Sequence, residues 1–273
     1  MTSVGPFSAR VVAVFIAALV AWLVAWLVAR SVQRRQADGQ RGSAASLVLD
    51  ALWIGLLGAR ATYVLRWWPE YAAAPMSIVS IGDGGFDWWA GLPAALAFVW
   101  WKSRRAPELR RPMLAGIAVG MVTWGVAQGA LDAFDRAAPP LPDLPLATLN
   151  ADTVALRSHI GKPLVVNLWA TWCPPCRREM PVFAQAQAEH PDVTFLLINQ
   201  GEDAQAVRTF LDRQGLQFSH VLLDASSQVM RAMGARALPT TLFFDAEGRM
   251  VESHMGEITA ARLADIVKHR LNP

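Results

Sequence analysis

The sequence predicts an N-terminal α-helical membrane domain of about four transmembrane helices, followed by a C-terminal α/β domain. The first 135 of its 273 residues are dominated by Ala, Val, Leu, Trp and Gly. After residue 146, apolar strand-like runs alternate with helical stretches, which is typical of a sheet covered on both faces. A proline-rich segment separates the two halves. We therefore predict a transmembrane domain at 1–134, a linker at 135–145 and an α/β domain at 146–273.

The N-terminal half contains four apolar segments. Val11 to Ala29 is a run of 19 residues without a charge, long enough to cross the hydrocarbon core as a helix. A cleavable signal peptide would have a shorter apolar region and a small-residue cleavage site, whereas Arg30, Arg34 and Arg35 follow here. We predict membrane spans at about 11–29, 45–65, 86–101 and 112–133.

The charges between these spans predict their orientation. Basic residues cluster in segments 30–41 and 102–111, whereas the loop at 66–85 is nearly balanced. The positive-inside rule places both clusters in the cytoplasm, so both termini face outward. The prediction is a multi-pass protein of the bacterial inner membrane with its α/β domain on the periplasmic side. The basic isoelectric point, about 9.2, is then a property of the membrane half, and no nucleic acid partner is predicted.

Two ionisable residues lie inside the second predicted span. Asp50 and Arg60 are ten residues apart in the sequence. This is about 15 Å along a helix, too far for direct pairing. An ionisable group is costly in an apolar span unless it faces a partner or a cavity. Each of the two therefore needs a partner elsewhere in the fold.

The segments GARATYVL (58–65) and GDGGFDWWAGLPAAL (82–96) are similar to a known membrane family. They resemble the prolipoprotein diacylglyceryl transferases, in which a Gly-Gly/Ala-Arg-x-x-Tyr-Val-Leu segment precedes a loop and a Gly-Gly-x-x-x-His-Gly-Gly-Leu segment. The catalytic His of that family falls on Trp89, which has no basic nitrogen. The resemblance, over about 55–96, implies a reduced, inactive relative of the transferase fold that serves as a scaffold. The matching residues are Gly58, Arg60, Tyr63, Gly84, Gly85, Gly91 and Leu92.

The linker at 135–145 reads DRAAPPLPDLP. Its four prolines favour extended polyproline conformation and predict a semi-rigid spacer. At about 3.1 Å per residue, this spacer would reach up to about 30 Å.

The α/β domain is predicted to contain four main strands and four helices. The strands lie at 163–170, 193–199, 220–224 and 240–246, and the helices at about 174–189, 203–214, 226–233 and 259–271. Gly248 and Arg249 predict the turn of a late antiparallel hairpin whose second strand is 250–254.

The motif that carries chemistry is WCPPC at 172–176, directly after a buried strand and at the start of a helix. Cys173 and Cys176 are the only two cysteines of the chain. A helix N-terminus offers free amides and the positive end of the dipole, which lower the pKa of the first thiol. The spacing brings both sulfurs within bonding distance. Cys173 is therefore the predicted nucleophile, and Cys176 the thiol that resolves the mixed disulfide.

Two other interpretations of this pair are half a zinc site and an inert packed pair. A zinc site needs two further Cys or His ligands at suitable spacing. The five histidines are scattered and form no H-x-x-x-H pair. The sequence therefore predicts redox chemistry, with no metal and no other cofactor.

The stretch GKPLVVNLWATWCPPCRREMP, with VTFLLINQGED and ALPTTLFFDAEGR, resembles the membrane-tethered, TlpA-like (ResA/DsbE-type) branch of the thioredoxin superfamily. This branch includes the reductases of cytochrome c maturation, and the resemblance covers about 146–273. It implies a thioredoxin fold, extracytoplasmic placement and a dithiol-reductase role.

The resemblance also implies functional residues around the cysteines. Pro239 matches the family's cis-proline, which lies opposite the C-x-x-C, presents the Leu238 backbone to a substrate strand and keeps metal-binding side chains away from the thiolate. Trp172, Leu238 and Thr240 are the implied substrate contacts.

Glu179 lies one helical turn after Cys176 and matches the acid that this branch keeps near its thiols. A shielded carboxylate there could hold a raised pKa and move protons. The alternative is a surface Glu beside Arg177 and Arg178. Thioredoxin itself has a buried Asp six residues before its first cysteine, and Asn167 occupies that position here and cannot titrate.

The leading interpretation is a reductase of disulfides in extracytoplasmic proteins. The alternatives are an oxidant or isomerase on the same fold, a lipid-modifying transferase with a redox regulator, and a membrane half that binds partners. The first 135 residues contain no cysteine, so they cannot pass electrons by thiol–disulfide exchange. They also contain no histidine, so no quinone or haem site can be argued there. We therefore expect a separate, cysteine-bearing membrane protein as electron donor.

Overall fold

The computed structural model describes residues 3–4, 7–33, 43–79, 83–104, 110–136 and 139–271. It divides into two compact units. The first comprises Ala9–Ile78 and Gly84–Leu131, and the second comprises Met1–Ser8, Val79–Asp83 and Asp132–Pro273.

The first unit is helical. Four long helices cover the four predicted apolar segments: α1 (Ala9–Gln33), α2 (Ser43–Arg66), α4 (Trp88–Ser103) and α5 (Arg110–Arg136). A short helix α3 (Trp68–Ala73) and a 3-10 turn (Pro75–Val79) lie in the region predicted as a loop at 66–85. Pro69, which follows Trp68 at the start of α3, fits a first helical turn, because the missing N–H costs no intrahelical bond there.

Among the described residues, no helix is long and apolar enough to cross a membrane. The four predicted crossings are therefore not confirmed by the described helices. Several residues behind the predicted orientation and the transferase resemblance, namely Arg34, Arg35, Arg41, Gly82 and Arg105, lie outside the described part of the chain.

Glycines allow α2 and α4 to pack closely. A Cβ atom on Gly91 of α4 would lie 2.6 Å from the carbonyl oxygen of Gly55 and 2.8 Å from the Cβ of Ala59 in α2. A Cβ atom on Gly85 would meet the ring of Tyr63 and lie 2.9 Å from Nη1 of Arg60. Any larger residue at these two positions would push the elements apart, so two of the glycines in the transferase-like segments have a packing role.

Arg60 has the partners that its position requires. Its Nη1 donates to the carbonyl oxygen of Gly85 at 2.8 Å, and its Nη2 donates to that of Ile78 at 2.9 Å. The guanidinium also lies 5.3 Å from the ring centre of Tyr71. The side chain therefore ties the segments that follow α3 back onto α2. Asp50, on the same helix, is exposed.

The second unit is built on a sheet of seven strands: β3 (Pro145–Thr148), β4 (Thr153–Ala155), β5 (Leu164–Trp169), β6 (Thr194–Gln200), β7 (Val221–Asp224), β8 (Thr240–Phe244) and β9 (Met250–Met255). Their order across the sheet is β4-β3-β7-β6-β5-β8-β9. The interior strand β5 pairs in parallel with β6 and antiparallel with β8. A further two-stranded pair, β1 (Ser3–Val4) with β2 (Phe7–Ser8), lies near the N-terminus.

Helices cover both faces of this sheet, and each face has its own apolar core. Successive residues of β5 point to opposite faces, so Val165 belongs to one core and Val166 to the other. Because both faces are buried, the strand reads as a continuous apolar run. The helical elements are α6 (Pro174–Glu189), α7 (Ala204–Gln214), α8 (Gln228–Ala232), α9 (Ala260–Ile266), a 3-10 turn (Leu156–His159) and a final π turn (Val267–Leu271).

The end of the predicted linker packs on this unit. Leu141 is 1 % exposed, lies in one of the two cores, and its N–H donates to the carbonyl oxygen of Gly248 at 2.9 Å. Pro145 already belongs to β3. The structure thus differs from the predicted spacer over residues 141–145, because burying one leucine fixes this segment to the sheet.

Candidate functional site

The two cysteines lie where β5 ends and α6 begins. β5 is buried along its whole length, so it holds the start of α6 at a fixed place on the sheet. Cys173 is the N-cap residue of α6, and its Sγ accepts a hydrogen bond from the backbone N–H of Cys176 at 3.4 Å. Pro174 and Pro175 occupy the first turn, where a helix tolerates proline.

The structure brings together a buried disulfide and an exposed aromatic ring. Cys173 and Cys176 are bonded to each other and are 4 % and 0 % exposed. Trp172, immediately before them, is 67 % exposed. Trp172 is therefore an exposed apolar side chain directly before the buried Cys173.

The Leu238–Pro239 peptide bond is cis, as the family resemblance implies. Thr240 pairs with Leu168 in the antiparallel register of β8 and β5, so Pro239 lies at the end of the sheet where the cysteine motif starts. Leu238 is half-buried there. Thr240 is only 1 % exposed, and its hydroxyl donates to the carbonyl oxygen of Ala237 at 2.7 Å. The predicted substrate contact at Thr240 therefore falls on its backbone, and it stays a prediction.

Glu179 lies on α6 with its side chain buried, and it is not a surface residue. It is 1 % exposed. One carboxylate oxygen accepts a hydrogen bond from Nδ2 of Asn167 at 2.8 Å, and the other accepts one from the backbone N–H of Ile258 at 3.0 Å. Burial, the largest effect, raises the pKa of the Glu179 carboxyl to about 8, although both hydrogen bonds favour the charged form. The group therefore changes its charge close to neutral pH.

Asn167 is held in place by the neighbouring strand. It lies directly opposite Thr241 in the register of β5 and β8, and residues opposite each other point to the same face. Its Nδ2 donates to Oγ1 of Thr241 at 3.2 Å as well as to Glu179. The side chain is fully buried. An amide at this position thus supplies the hydrogen bonds and leaves Glu179 as the group that titrates.

Glu202 is a residue near the motif that sequence reasoning did not single out. Its carboxylate, in the turn after β6, accepts hydrogen bonds from the backbone N–H of Thr171 at 2.7 Å and from the Thr171 hydroxyl. It also accepts one from Nδ2 of Asn199 at 2.7 Å. These hydrogen bonds hold the turn that contains Trp172 and Cys173 against the end of β6. The acidic QGED turn after a predicted strand was the available signal.

A groove of about 510 Å³ begins beside the motif, between α6 and α7. We call it the α6–α7 groove. Thr171 and Arg177 line it on the motif side, and Phe210 and Arg213 line it on α7. The Arg177 guanidinium lies 5.7 Å from the ring centre of Phe210. The groove therefore combines an aromatic ring with two cationic side chains.

Two histidines that are far apart in the sequence lie together in the fold. The rings of His159 and His220 meet edge to face, with 4.9 Å between their centroids. Burial, and then the neighbouring His220, lowers the pKa of His159. Within the described residues, no group of three or more His, Cys, Asp or Glu side chains is arranged to hold a metal ion.

A mixed sheet of this order, with a C-x-x-C disulfide at the start of α6 beside a cis-proline, defines a thiol–disulfide oxidoreductase of the thioredoxin fold. The family model described as Redoxin matches residues 135–267. The thiol–disulfide oxidoreductase ResA of Halalkalibacterium halodurans is 33 % identical over 135 residues, which are 49 % of this chain and 76 % of that protein. ResA of Geobacillus thermodenitrificans is 35 % identical over 130 residues, 47 % of this chain and 72 % of that protein. The chain belongs to the ResA family of thiol–disulfide oxidoreductases.

Two further similarities concern a solved structure and the N-terminal half of the chain. A secreted Mycobacterium tuberculosis disulfide oxidoreductase, described as homologous to E. coli DsbE, is 28 % identical and matches 46 % of this chain and 95 % of its own, with a TM-score of 0.42. The prolipoprotein diacylglyceryl transferase family model matches residues 1–134. The transferase resemblance thus extends over a longer part of the chain than the 55–96 region in which the sequence motifs lie.

Proposed function

We propose that this protein is a membrane-anchored, extracytoplasmic protein-disulfide reductase. The observation that carries the proposal is the Cys173–Cys176 pair at the N-terminus of α6, one helical turn before the buried Glu179. The apolar run at 11–29, the basic segments around it and the transferase-family match at 1–134 support a multi-pass anchor in the bacterial inner membrane. The domain division at 1–134, 135–145 and 146–273 is part of the same proposal.

The proposed reaction transfers two electrons from the reduced protein to a substrate disulfide. The Cys173 thiolate attacks one sulfur of the substrate, the substrate S–S bond breaks, and its other sulfur leaves as a thiolate. The Cys176 thiol loses its proton to the Glu179 carboxylate and attacks Sγ of Cys173. The mixed disulfide then breaks, the substrate leaves as a dithiol after protonation, and Cys173–Cys176 is left oxidised.

Other residues have supporting roles in this proposal. Pro239 and the half-buried Leu238 present backbone to the substrate strand, and Trp172 supplies an exposed apolar contact. The substrates are disulfide-containing extracytoplasmic proteins, including those of cytochrome c maturation, as for the branch that the sequence resembles. Because Trp89 replaces the catalytic His of the transferases, lipid transfer is not part of the proposal.

The test is a set of single-cysteine variants in an insulin-reduction assay with dithiothreitol as electron source. The parent should reduce insulin, and Cys173→Ser should abolish this activity because no nucleophile remains. Cys176→Ser should trap mixed disulfides, because attack occurs but resolution does not. A Cys173→Ser protein that keeps the parent rate would contradict the assignment of the nucleophile.

The direction of electron flow has its own measurement. The reduction potential of the pair should lie well below about −200 mV if the protein is a reductase, and a value near about −120 mV would make it an oxidant.

A further inference from the structure

The α6–α7 groove starts at the residues that flank the cysteine motif. Thr171 lies two residues before Cys173, and Arg177 directly follows Cys176. A polypeptide whose sulfur is bonded to Cys173 therefore has the groove immediately beside it. Phe210 forms part of the wall and packs on Trp169 at the end of β5, with 5.5 Å between ring centroids. The wall is thus fixed to the same strand that carries the motif.

The two arginines of the groove are available to a ligand. Within the described residues, neither Arg177 nor Arg213 forms an ion pair, whereas the neighbouring Arg178 pairs with Glu257 at 2.5 Å. Among the described residues that line the groove, the only carboxylate is that of Asp203, and one of its oxygens accepts the N–H of Ala206 as the N-cap of α7. The Glu202 carboxylate is outside the lining and is hydrogen-bonded to Thr171 and Asn199. The lining of the groove therefore carries two arginines against one carboxylate.

This cationic character is local. Residues 141–273 carry 12 Lys and Arg against 14 Asp and Glu, so the domain as a whole is slightly acidic. Unpaired positive charge next to a reactive cysteine attracts partners with negative charge and suppresses partners with positive charge.

We propose that the α6–α7 groove binds the polypeptide segment next to the reacting cysteine of a substrate, and that Arg177 and Arg213 select segments that carry carboxylate side chains. This inference rests on the proposed reductase function. It names the substrate class of the site: disulfide proteins with acidic residues flanking the cysteine that Cys173 attacks. Arg guanidinium groups suit this role because their planar donors match a carboxylate.

The experiment uses three short peptides that differ only beside a single cysteine, where they carry Glu, Gln or Lys on both sides. Each cysteine is linked by a disulfide to 2-thiopyridine. Attack of the Cys173 thiolate on the peptide sulfur releases the thiopyridone, and Cys176 then releases the peptide as a thiol. The rate of thiopyridone release is measured with the pre-reduced, full-length protein in an uncharged detergent.

The Glu peptide should react about tenfold faster than the Lys peptide at low ionic strength, with the Gln peptide between them. The ratio should shrink towards one as salt is added, because exposed charges are screened. In the double variant Arg177→Glu and Arg213→Glu, the order of the peptides should invert. The comparison uses the ratio of two release rates. A change in the reactivity of Cys173 alters the rates with all three peptides by the same factor, so the ratio stays the same.

Arg157→Glu is the matched control. Arg157 is also exposed and forms no ion pair within the described residues, but it lies in the 3-10 turn at Leu156–His159 and not in the groove. This variant should keep the parent order of the peptides. Equal rates for all three peptides, or an unchanged order in the double variant, would overturn the inference and leave the reductase function standing. A protein that reacts with no peptide would instead contradict the reductase function.

Discussion

Glu179 is a carboxyl group almost without solvent contact, one helical turn after Cys176. Its pKa is raised from 4.5 to about 8 by burial. Between these two values the folded protein holds a proton that the unfolded chain has lost. The free energy of unfolding therefore falls as the pH rises from about 4.5 to 8, and it becomes independent of this group above that range.

Glu179→Gln should remove this loss of stability. The free energy of unfolding of the variant, relative to that of the parent, should rise by on the order of a few kcal/mol from about pH 5 to about pH 9. The reason is that glutamine has no charge to bury. The measurement is urea unfolding of the disulfide form of residues 135–273 at several pH values. In that form the cysteines do not titrate. Burial lowers the pKa of His254, but His254 is present in both proteins, so its contribution drops out of the difference in stability. A difference in stability between the variant and the parent that does not change with pH would contradict this account of Glu179.

At the scale of single residues, the sequence pointed to Glu179 as a group with a raised pKa. It did not predict the hydrogen bonds that hold the Glu179 carboxylate. The spacing from Cys176 and the family resemblance were enough to select Glu179, Pro239 and the cysteines. The bond from Asn167 depends on the register that sets it opposite Thr241, and the bond from Ile258 depends on where the chain returns after β9. Both contacts join residues distant in the sequence, so no local pattern could predict them.

Single carboxylates also join elements, and Glu202 fastens the turn between β5 and α6 to the end of β6. Its removal leaves the N–H of Thr171 and the amide of Asn199 without their partner. Glu202→Ala should lower the free energy of unfolding of residues 135–273 by about 2 kcal/mol, since hydrogen bonds to a charged group contribute about 1.5–3 kcal/mol. It should also speed hydrogen exchange at the Thr171 amide in the native state.

Glu247→Ala is the control for this prediction. Glu247 has a side chain that is 65 % exposed and pairs with Arg249 at 3.1 Å. A surface pair of this kind contributes at most about 1 kcal/mol. Equal effects of the two substitutions, or unchanged exchange at Thr171, would show that Glu202 does not fasten the turn.

The periodic elements around the sheet were predicted to within a few residues, and the weakly patterned ones were missed. The strands at 164–169 and 194–200 are continuous apolar runs because both of their faces are buried. β3 and β4 have four and three residues, and most of these are only partly buried or exposed. They form a hairpin through the turn at Ala151, whose φ is +65°. That turn contains no glycine, which is the usual signal of a hairpin in a sequence.

For the whole chain, the orientation in the membrane is predicted from the basic clusters at 30–41 and 102–111. A reporter that is active only outside the cytoplasm should be active when fused after Pro140 and silent when fused after Gly39. Expression of both fusions, checked by immunoblot, is the control. The reverse pattern would place the cysteine pair in a reducing compartment, where a stable disulfide is not expected.

The supply of electrons to Cys173–Cys176 depends on a second protein in our proposal. The first 135 residues contain no cysteine, and each step of thiol–disulfide exchange needs a thiolate to attack and a disulfide sulfur to receive it. These residues also contain no histidine that could ligate haem. We therefore predict that a separate, cysteine-bearing membrane protein reduces the pair in the cell.

This prediction is tested by exchanging the anchor. Residues 1–134 are replaced by an unrelated single-span anchor of the same orientation, and the redox state of Cys173 and Cys176 is read by alkylation in cells. The pair should stay reducible, because the anchor carries no electrons. In a strain that lacks such a donor, the pair should accumulate in the oxidised form with either anchor. If the native chain stays reduced in that strain while the exchanged one becomes oxidised, the N-terminal half has an electron route of its own, and a separate donor is not required.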